Sequence, residues 1–158
     1  NSTDLAALPD GAKVGVPNDP TNEARALLLL EENGLLTLKE GAGVAATKLD
    51  IVENPKNLEI VEMEAAQLAL SLGSLDIAVI NGNYALSGGL DIANALAMEE
   101  AGSLAADTYA NVVAVRSGDE SRPELQTLIE VLQSQEIADF ITETFNGAVA
   151  PANTAAAE

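Results

Sequence analysis

The chain is 158 residues long and contains no cysteine and no histidine. These two absences exclude a thiolate nucleophile, a Ser-His-Asp triad and the usual ligands of zinc. We predict no catalytic residue, no metal site and no cofactor. The lack of cysteine is compatible with either redox compartment. Aromatic residues make up only 3% of the chain, so its core must be built from alanine, valine, leucine and isoleucine.

Positive charge is also scarce. Seven lysines and arginines stand against 25 aspartates and glutamates, which gives a formal net charge of −18. A chain of this sign is repelled by phosphate groups, which argues against nucleic acid or an anionic membrane as a partner. The sequence shows no apolar run long enough to cross a bilayer, no signal peptide and no lipidation cysteine. Its abrupt start at Asn1 is expected of a mature or trimmed form.

The chain does contain a regular alternation of strand and helix patterns. Its apolar fraction of 47% is enough for a core, and its length fits one domain or two small lobes. Because the strand patterns are continuously apolar, they predict an α/β fold with a largely parallel sheet covered by helices. The small-residue segment 102–108 is predicted to be a loop and a hinge between lobes. Strands are predicted at residues 13–17, 58–63, 75–80 and 112–115, and helices at residues 20–33, 64–72 and 91–101 and after Ser121 and Ser134.

The most informative segment is the start of the first predicted helix. Asp19 is a suitable N-cap and Pro20 a suitable first helical residue. Backbone N–H groups at such a start have no partner within the helix and carry partial positive charge, which suits an anion. Arg25 lies in the second turn, and none of its neighbours three or four positions away is acidic. A guanidinium at this place is a candidate clamp for a carboxylate.

Two asparagines are placed to join Arg25, because ligands gather at the carboxyl ends of parallel strands. Asn18 and Asn81 each lie just past the end of a predicted strand. Simpler interpretations compete with this one. Asn18 and Asp19 are typical of a helix cap, and Asn81–Gly82 is typical of a tight turn in which both residues tolerate positive φ.

Several segments resemble the methionine-binding lipoproteins of bacterial ABC importers, and they follow one another in the order found in that family. The resemblance covers nearly the whole chain. It implies a type II periplasmic-binding-protein-like fold, in which two lobes enclose an amino acid in a cleft. The matching segments are residues 8–14, 17–30, 50–58, 64–68, 78–85, 109–113 and 145–149.

The same resemblance divides the chain. Residues 7–106 correspond to the second lobe, and residues 107–158 correspond to the crossover, the hinge and the C-terminal part of an incomplete first lobe. The family's N-terminal part, with its lipid-anchoring cysteine and the aromatic wall around the methionine side chain, is expected to be missing, as in a truncated form. The resemblance implies an extracytoplasmic protein, cell-surface or periplasmic, anchored by a lipid on that missing part. Its implied partner is an ABC permease in the membrane.

The resemblance also assigns residues to the site. Arg25 matches the family arginine that binds the ligand carboxylate, and Asn81 and Asn111 match two ligand-binding asparagines. Asn18 and Asp19 are assigned a supporting place behind them. The chemistry agrees, because a guanidinium takes a carboxylate with two parallel hydrogen bonds and amide oxygens accept from an α-ammonium group. The implied function is binding of L-methionine or a related amino acid for import, without catalysis.

Two other functions stay open at this point. An enzyme with an α/β fold would use paired carboxylates as acid and base, but no nucleophile elbow or phosphate loop appears. The adjacent pairs Glu31–Glu32 and Glu99–Glu100 do not face one another on a helix, which argues against a metal site. Alternatively, the chain is an interaction lobe whose uncovered apolar face forms homo-oligomers. Arg25 then has a plain role as a surface residue paired with distant acidic groups.

Overall fold

The computed structural model describes residues 4–99, 108–145 and 149–151. The chain divides into two compact units, Asn1–Thr108 and Tyr109–Glu158. Across the described ranges, no helix is both long and apolar enough to pass through a bilayer.

A three-stranded parallel sheet forms the centre of the first unit, which confirms the predicted fold class. The middle strand β1 (Lys13–Pro17) pairs with β4 (Glu59–Met63) on one side and with β5 (Ile77–Ala78) on the other. A second, antiparallel sheet joins β2 (Thr37–Leu38) and β3 (Ile51–Glu53). These two strands were not predicted, because two or three residues are too few to show an alternating pattern.

Helix α1 (Pro20–Glu32) begins and ends close to its predicted limits. Asp19 caps it, since the Asp19 Oδ1 accepts from the backbone N–H of Asn22 at 3.0 Å. Gly34 follows the helix with φ of +69°, a conformation that favours glycine and ends the helix. The buried face includes the fully covered Leu27, which belongs to the same core cluster as the side chains of β1. The helix is therefore fixed at both ends and along one face.

Gly15 in the middle strand allows a close approach of neighbouring elements. A Cβ at this position would lie 2.6 Å from Leu75 Cδ1 and 2.9 Å from Leu68 Cδ2, where Leu68 belongs to helix α2 (Ala65–Ser71). The carbonyl of Gly15 accepts from the backbone N–H of Val79 at 2.9 Å. This packing holds β5 beside β1, so that the residues following both strands emerge at the same edge of the sheet.

The last part of the first unit differs from the prediction. Helix α3 (Gly82–Ser87) follows β5, but the helix predicted at residues 91–101 reduces to one 3-10 turn, Ile92–Asn94, with Asp91 as its cap. Residues 95–99 are irregular, and the rest of that predicted helix lies outside the described residues, as does the predicted hinge except for Thr108.

Among the described residues of the second unit there are two helices, α4 (Pro123–Leu132) and α5 (Gln135–Phe145). The Ser134 Oγ accepts from the N–H of Ile137 at 3.4 Å, so Ser134 caps the helix that was predicted to follow it. Helix α4 follows Ser121 as predicted, with Arg122 in the N-cap position. The strand predicted at residues 112–115 is wrong. Those residues are irregular, and Val112 is 83% exposed, because no neighbouring strand in the described part of the chain pairs with them.

Candidate functional site

The candidate site lies where β1 and β5 end. Asn18 follows β1 directly, and the first turn of α1 comes next in the chain. Asn81 follows β5 after two further residues. Because the two strands are parallel neighbours, the start of α1 and Asn81 meet at one edge of the sheet, as the strand order predicts.

Asn22, in the first turn of α1, is the centre of a hydrogen-bond network. Its Nδ2 donates to both carboxylate oxygens of Asp19, each at 3.0 Å. Its Oδ1 accepts from the Nδ2 of Asn81 at 2.7 Å and from the Nη1 of Arg25 at 3.3 Å. The network therefore joins three of the predicted site residues, Asp19, Arg25 and Asn81.

Arg25 is held from its other side by Glu99. The Glu99 carboxylate accepts from Arg25 Nε at 3.0 Å and from Nη2 at 2.5 Å, a bidentate pair. The side chains of Arg25 and Glu99 are 29% and 22% exposed, so solvent screens the pair only in part. Arg25 is thus paired with a distant acidic residue, as its simpler interpretation expected. This pair lies at the place where the carboxylate clamp was predicted.

Asn81 does not form the tight turn that its sequence suggested. Its φ is −60°, and it occupies the N-cap position of α3. At that position an asparagine side chain ordinarily caps the helix, but the side chain of Asn81 makes no capping bond and instead contacts Asn22. Its Oδ1 is buried and has no hydrogen-bond partner among the described residues. A buried acceptor of this kind is rare and costly, which marks it as a candidate contact for a ligand.

The charge state of Asp19 follows from its neighbours. Burial raises the pKa of Asp19, but the hydrogen bonds from the side chain and backbone of Asn22 outweigh it and hold the pKa below its ordinary value of 3.8. Asp19 is therefore ionised at neutral pH. An ionised carboxylate can only accept hydrogen bonds, which fixes how Asn22 faces it.

The structure places the remaining predicted residues outside this network. Asn18 is exposed, and its backbone N–H donates to the carbonyl of Met63 at 2.9 Å, so it fixes the chain between β1 and α1. Asn111 is exposed in an irregular part of the second unit. Its assignment to the site therefore remains a prediction from the resemblance.

The arrangement offers groups that can contact the two charged ends of a small zwitterion. Arg25 supplies hydrogen-bond donors and positive charge, and Asn81 supplies an acceptor. No three His, Cys, Asp or Glu side chains in the described ranges come together as a metal site. An open hollow of about 390 Å³ lies elsewhere, and it offers an acidic side chain but no cation. Its lining residues are Glu32, Asn33, Leu96, Ala97 and Met98.

Sequence reasoning missed two members of the site. Asn22 stands three positions before Arg25, a spacing that predicts contact between the two side chains on a helix. In the sequence, Asn22 was used only to show that Arg25 has no acidic neighbour three or four positions away. Glu99 is 74 residues away from Arg25, and no local pattern connects them. The scarcity of arginine in an acidic chain indicates that Arg25 has a carboxylate partner, but it does not identify which of the 25 acidic residues.

The fold is that of one lobe of a type II periplasmic binding protein, and solved proteins of this class align with it. One is a nutrient-binding protein from Burkholderia cenocepacia bound to methionine, with 47% identity, a TM-score of 0.84, and a match covering 95% of this chain and 62% of that one. A lipoprotein from Ruminococcus gnavus shows 51% identity and a TM-score of 0.85 over 96% of this chain and 63% of its own.

The chain belongs to the NlpA lipoprotein family, whose sequence profile matches residues 1–153. The resemblance stated from the sequence is thereby confirmed. A curated relative, the D-methionine-binding lipoprotein MetQ of Escherichia coli O157:H7, is 44% identical over 146 residues. That match covers 90% of this chain and 52% of the relative, so the chain spans about half the length of the curated relatives it matches.

Proposed function

We propose that the protein is the substrate-binding component of an ABC amino-acid importer and binds L-methionine or a closely related amino acid. The observation that carries the proposal is that Arg25 Nη1 and Asn81 Nδ2 both donate to Asn22 Oδ1, while the Oδ1 of Asn81 is buried and unsatisfied among the described residues. A zwitterion needs a cationic donor and an acceptor a few ångströms apart. The methionine-bound relative from B. cenocepacia supports the choice of ligand.

Arg25 receives the ligand carboxylate in this proposal. A guanidinium has two edges that can form two parallel hydrogen bonds with a carboxylate. The carboxylate of Glu99 engages the Nε–Nη2 edge, so the guanidinium is already oriented for bidentate contact with a carboxylate. The contact of Asn22 Oδ1 with Nη1 helps to hold the group in place. The Oδ1 of Asn81 then accepts from the ligand ammonium.

The proposal extends to the protein as a whole through its family. Residues 7–106 would form the second lobe and residues 107–158 the crossover and part of the first lobe, with Asn111 contributing to the cleft between them. Ligand binding would favour the closed arrangement of the lobes, which docks on a membrane permease. The protein would act outside the cytoplasm, held at the membrane by a lipid anchor on an N-terminal part. An uncovered first-lobe face would pair with a second copy.

Isothermal titration calorimetry tests the proposal on two proteins. One is this chain, and the other is an extended chain, in which this sequence follows the segment that precedes the match in the B. cenocepacia relative. We expect the extended chain to bind L- or D-methionine and this chain alone to bind weakly or undetectably, because part of the cavity wall is absent. Micromolar binding by this chain as a monomer would contradict the second expectation.

Arg25 is tested in the extended chain by the variant Arg25→Ala. Two hydrogen bonds to a charged group are lost, so methionine affinity should fall at least about 100-fold. Arg122→Ala is the matched control, because Arg122 is an exposed arginine in local ion pairs with Asp119 and Glu124. No methionine binding by the unmodified extended chain, or equal affinity in both variants, would refute the proposed function.

A further inference from the structure

Asn22 has an amide orientation that its surroundings determine. Its Nδ2 faces the two oxygens of Asp19, both at 3.0 Å. If the amide were turned over, its Oδ1 would face a carboxylate, and two acceptors would repel each other. The ionised Asp19 therefore forces the oxygen of Asn22 to point away from itself, towards Arg25 and Asn81.

The orientation of Asn22 in turn determines that of Asn81. The contact between them joins Asn22 Oδ1 and Asn81 Nδ2 at 2.7 Å. The opposite orientation of Asn81 would bring two carbonyl oxygens to that distance. The amide of Asn81 must therefore turn its NH₂ towards Asn22, and its Oδ1 is the atom left buried without a partner in the described part of the chain.

We propose that Asp19, acting through Asn22, is a positioning residue that sets the amine specificity of the site. This inference rests on the proposed function and deepens it. Because Asp19 accepts only, each amide in the series Asp19–Asn22–Asn81 has one permitted orientation, and the series ends in an acceptor. An acceptor at that point selects a ligand with a protonated amine. A ligand that has the carboxylate but lacks the amine gains nothing from Asn81.

The variant Asp19→Asn tests the inference with little damage to the fold. Asparagine is as good an N-cap as aspartate, so α1 keeps its start. An asparagine at position 19 can also donate, so Asn22 is no longer held in one orientation, and neither is Asn81. The measurement is calorimetric affinity of the extended chain for methionine and for its desamino analogue, in which hydrogen replaces the amino group.

The amine discrimination is the affinity for methionine divided by the affinity for the desamino analogue. We expect Asp19→Asn to lower this ratio about tenfold or more, the range for losing one hydrogen bond to a charged group. Affinity for the desamino analogue should change by less than about threefold. A structural defect would weaken both ligands alike, so an equal loss for the two would overturn the inference.

A second variant tests whether Asp19 acts through Asn22 or independently of it. Asn22→Ala removes the oxygen that orients Asn81, and it should lower the amine discrimination at least as much as Asp19→Asn. In the Asn22→Ala background, Asp19→Asn should have no further effect, because Asp19 acts only through Asn22. Additive effects of the two substitutions in this double-mutant cycle would contradict the action of Asp19 through Asn22.

The chain offers a matched control in Asp91→Asn. Asp91 accepts from the N–H of Ala93 and from the Nδ2 of Asn94, so it repeats the Asp19–Asn22 spacing at an exposed turn. This variant should leave both affinities unchanged. If the unmodified extended chain binds methionine and Asp19→Asn and Asn22→Ala keep its amine discrimination, the inference fails and the proposed function stands. Absence of methionine binding by the unmodified protein would instead refute the proposed function.

Discussion

Replacing Gly15 with alanine should loosen the sheet at the point that holds the site together. The added Cβ would lie 2.6 Å from Leu75 Cδ1, 2.9 Å from Leu68 Cδ2 and 3.3 Å from the Cβ of Ala78. The first two distances are shorter than any normal contact between carbon atoms. All three contacts are to side chains, and the two leucine tips can move, so β1 and β5 will separate slightly rather than fail to pair.

The size of the effect follows from two opposing contributions. Overpacking a core by one methyl group typically costs about 1–3 kcal/mol of stability. Alanine returns about 0.4–1 kcal/mol by restricting the unfolded chain. The net destabilisation of Gly15→Ala should therefore be about 1–2 kcal/mol, or a decrease of about 2–8 °C in Tm for a chain of this size.

Urea unfolding followed by circular dichroism measures this difference. Gly73→Ala is the control, because a Cβ at Gly73 meets no atom within 4 Å and its backbone is not left-handed. The control should be neutral or slightly stabilising. Hydrogen exchange gives a local readout, since the N–H of Val79 donates to the carbonyl of Gly15. That amide should exchange faster in Gly15→Ala. Equal stability of the two variants, with unchanged exchange at Val79, would refute the packing argument.

Two further predictions concern acidic residues of the first unit. Glu23 is only 6% exposed, and its Oε1 accepts from the backbone N–H of Lys48 at 2.9 Å. Glu23→Ala leaves that N–H unsatisfied and should lower the free energy of unfolding in urea by about 1–3 kcal/mol. Glu23→Gln keeps an acceptor and should lower it by less. The reverse order of the two variants would contradict this role of Glu23. For Asp19, a folded-state pKa below 3.8 means that its stabilisation is present above that pH and is lost as the pH falls through the folded-state pKa. The stability difference between the unmodified chain and Asp19→Asn should therefore shrink as the pH falls below 3.8, and a constant difference through that range would refute it.

The parts of the fold that follow local rules were predictable from the sequence. The strand Lys13–Pro17 was predicted at its observed bounds, and α1 within one residue, because Asp19 and Pro20 define its start. The largely parallel sheet also followed from the continuous apolar patterns and the alternation of strands and helices.

The errors arose where long-range contacts decide the conformation. Residues 95–99 have good helix propensity, yet they run irregularly to a point where Glu99 pairs with Arg25. The valines at 112–115 have strand propensity but no neighbouring strand among the described residues, and strand propensity acts only through such neighbours.

The candidate site likewise has residues that the sequence identified and a connection that it did not. Arg25 and Asp19 were identifiable from their place at the start of a helix, and Asn81 from its place after a strand. Their connection through Asn22 was not identified, because it depends on which way a side-chain amide faces. The carboxylate of Asp19 sets the orientation of Asn22, and Asn22 in turn orients an asparagine 59 residues away.

The sheet order β4–β1–β5 also fixes when the site can form during folding. Strand β1 precedes both of its neighbours in the chain, these neighbours arrive only after crossover connections, and the Asn22–Asn81 contact closes a loop of 59 residues. Closing such loops requires a loss of chain entropy before any contact compensates it, which makes parallel pairing slow. In the proposed function, a nascent chain that has emerged only as far as α1 would already possess Asp19, Asn22 and Arg25 but would still lack Asn81. Ligand capture would then require that β5 has docked beside β1.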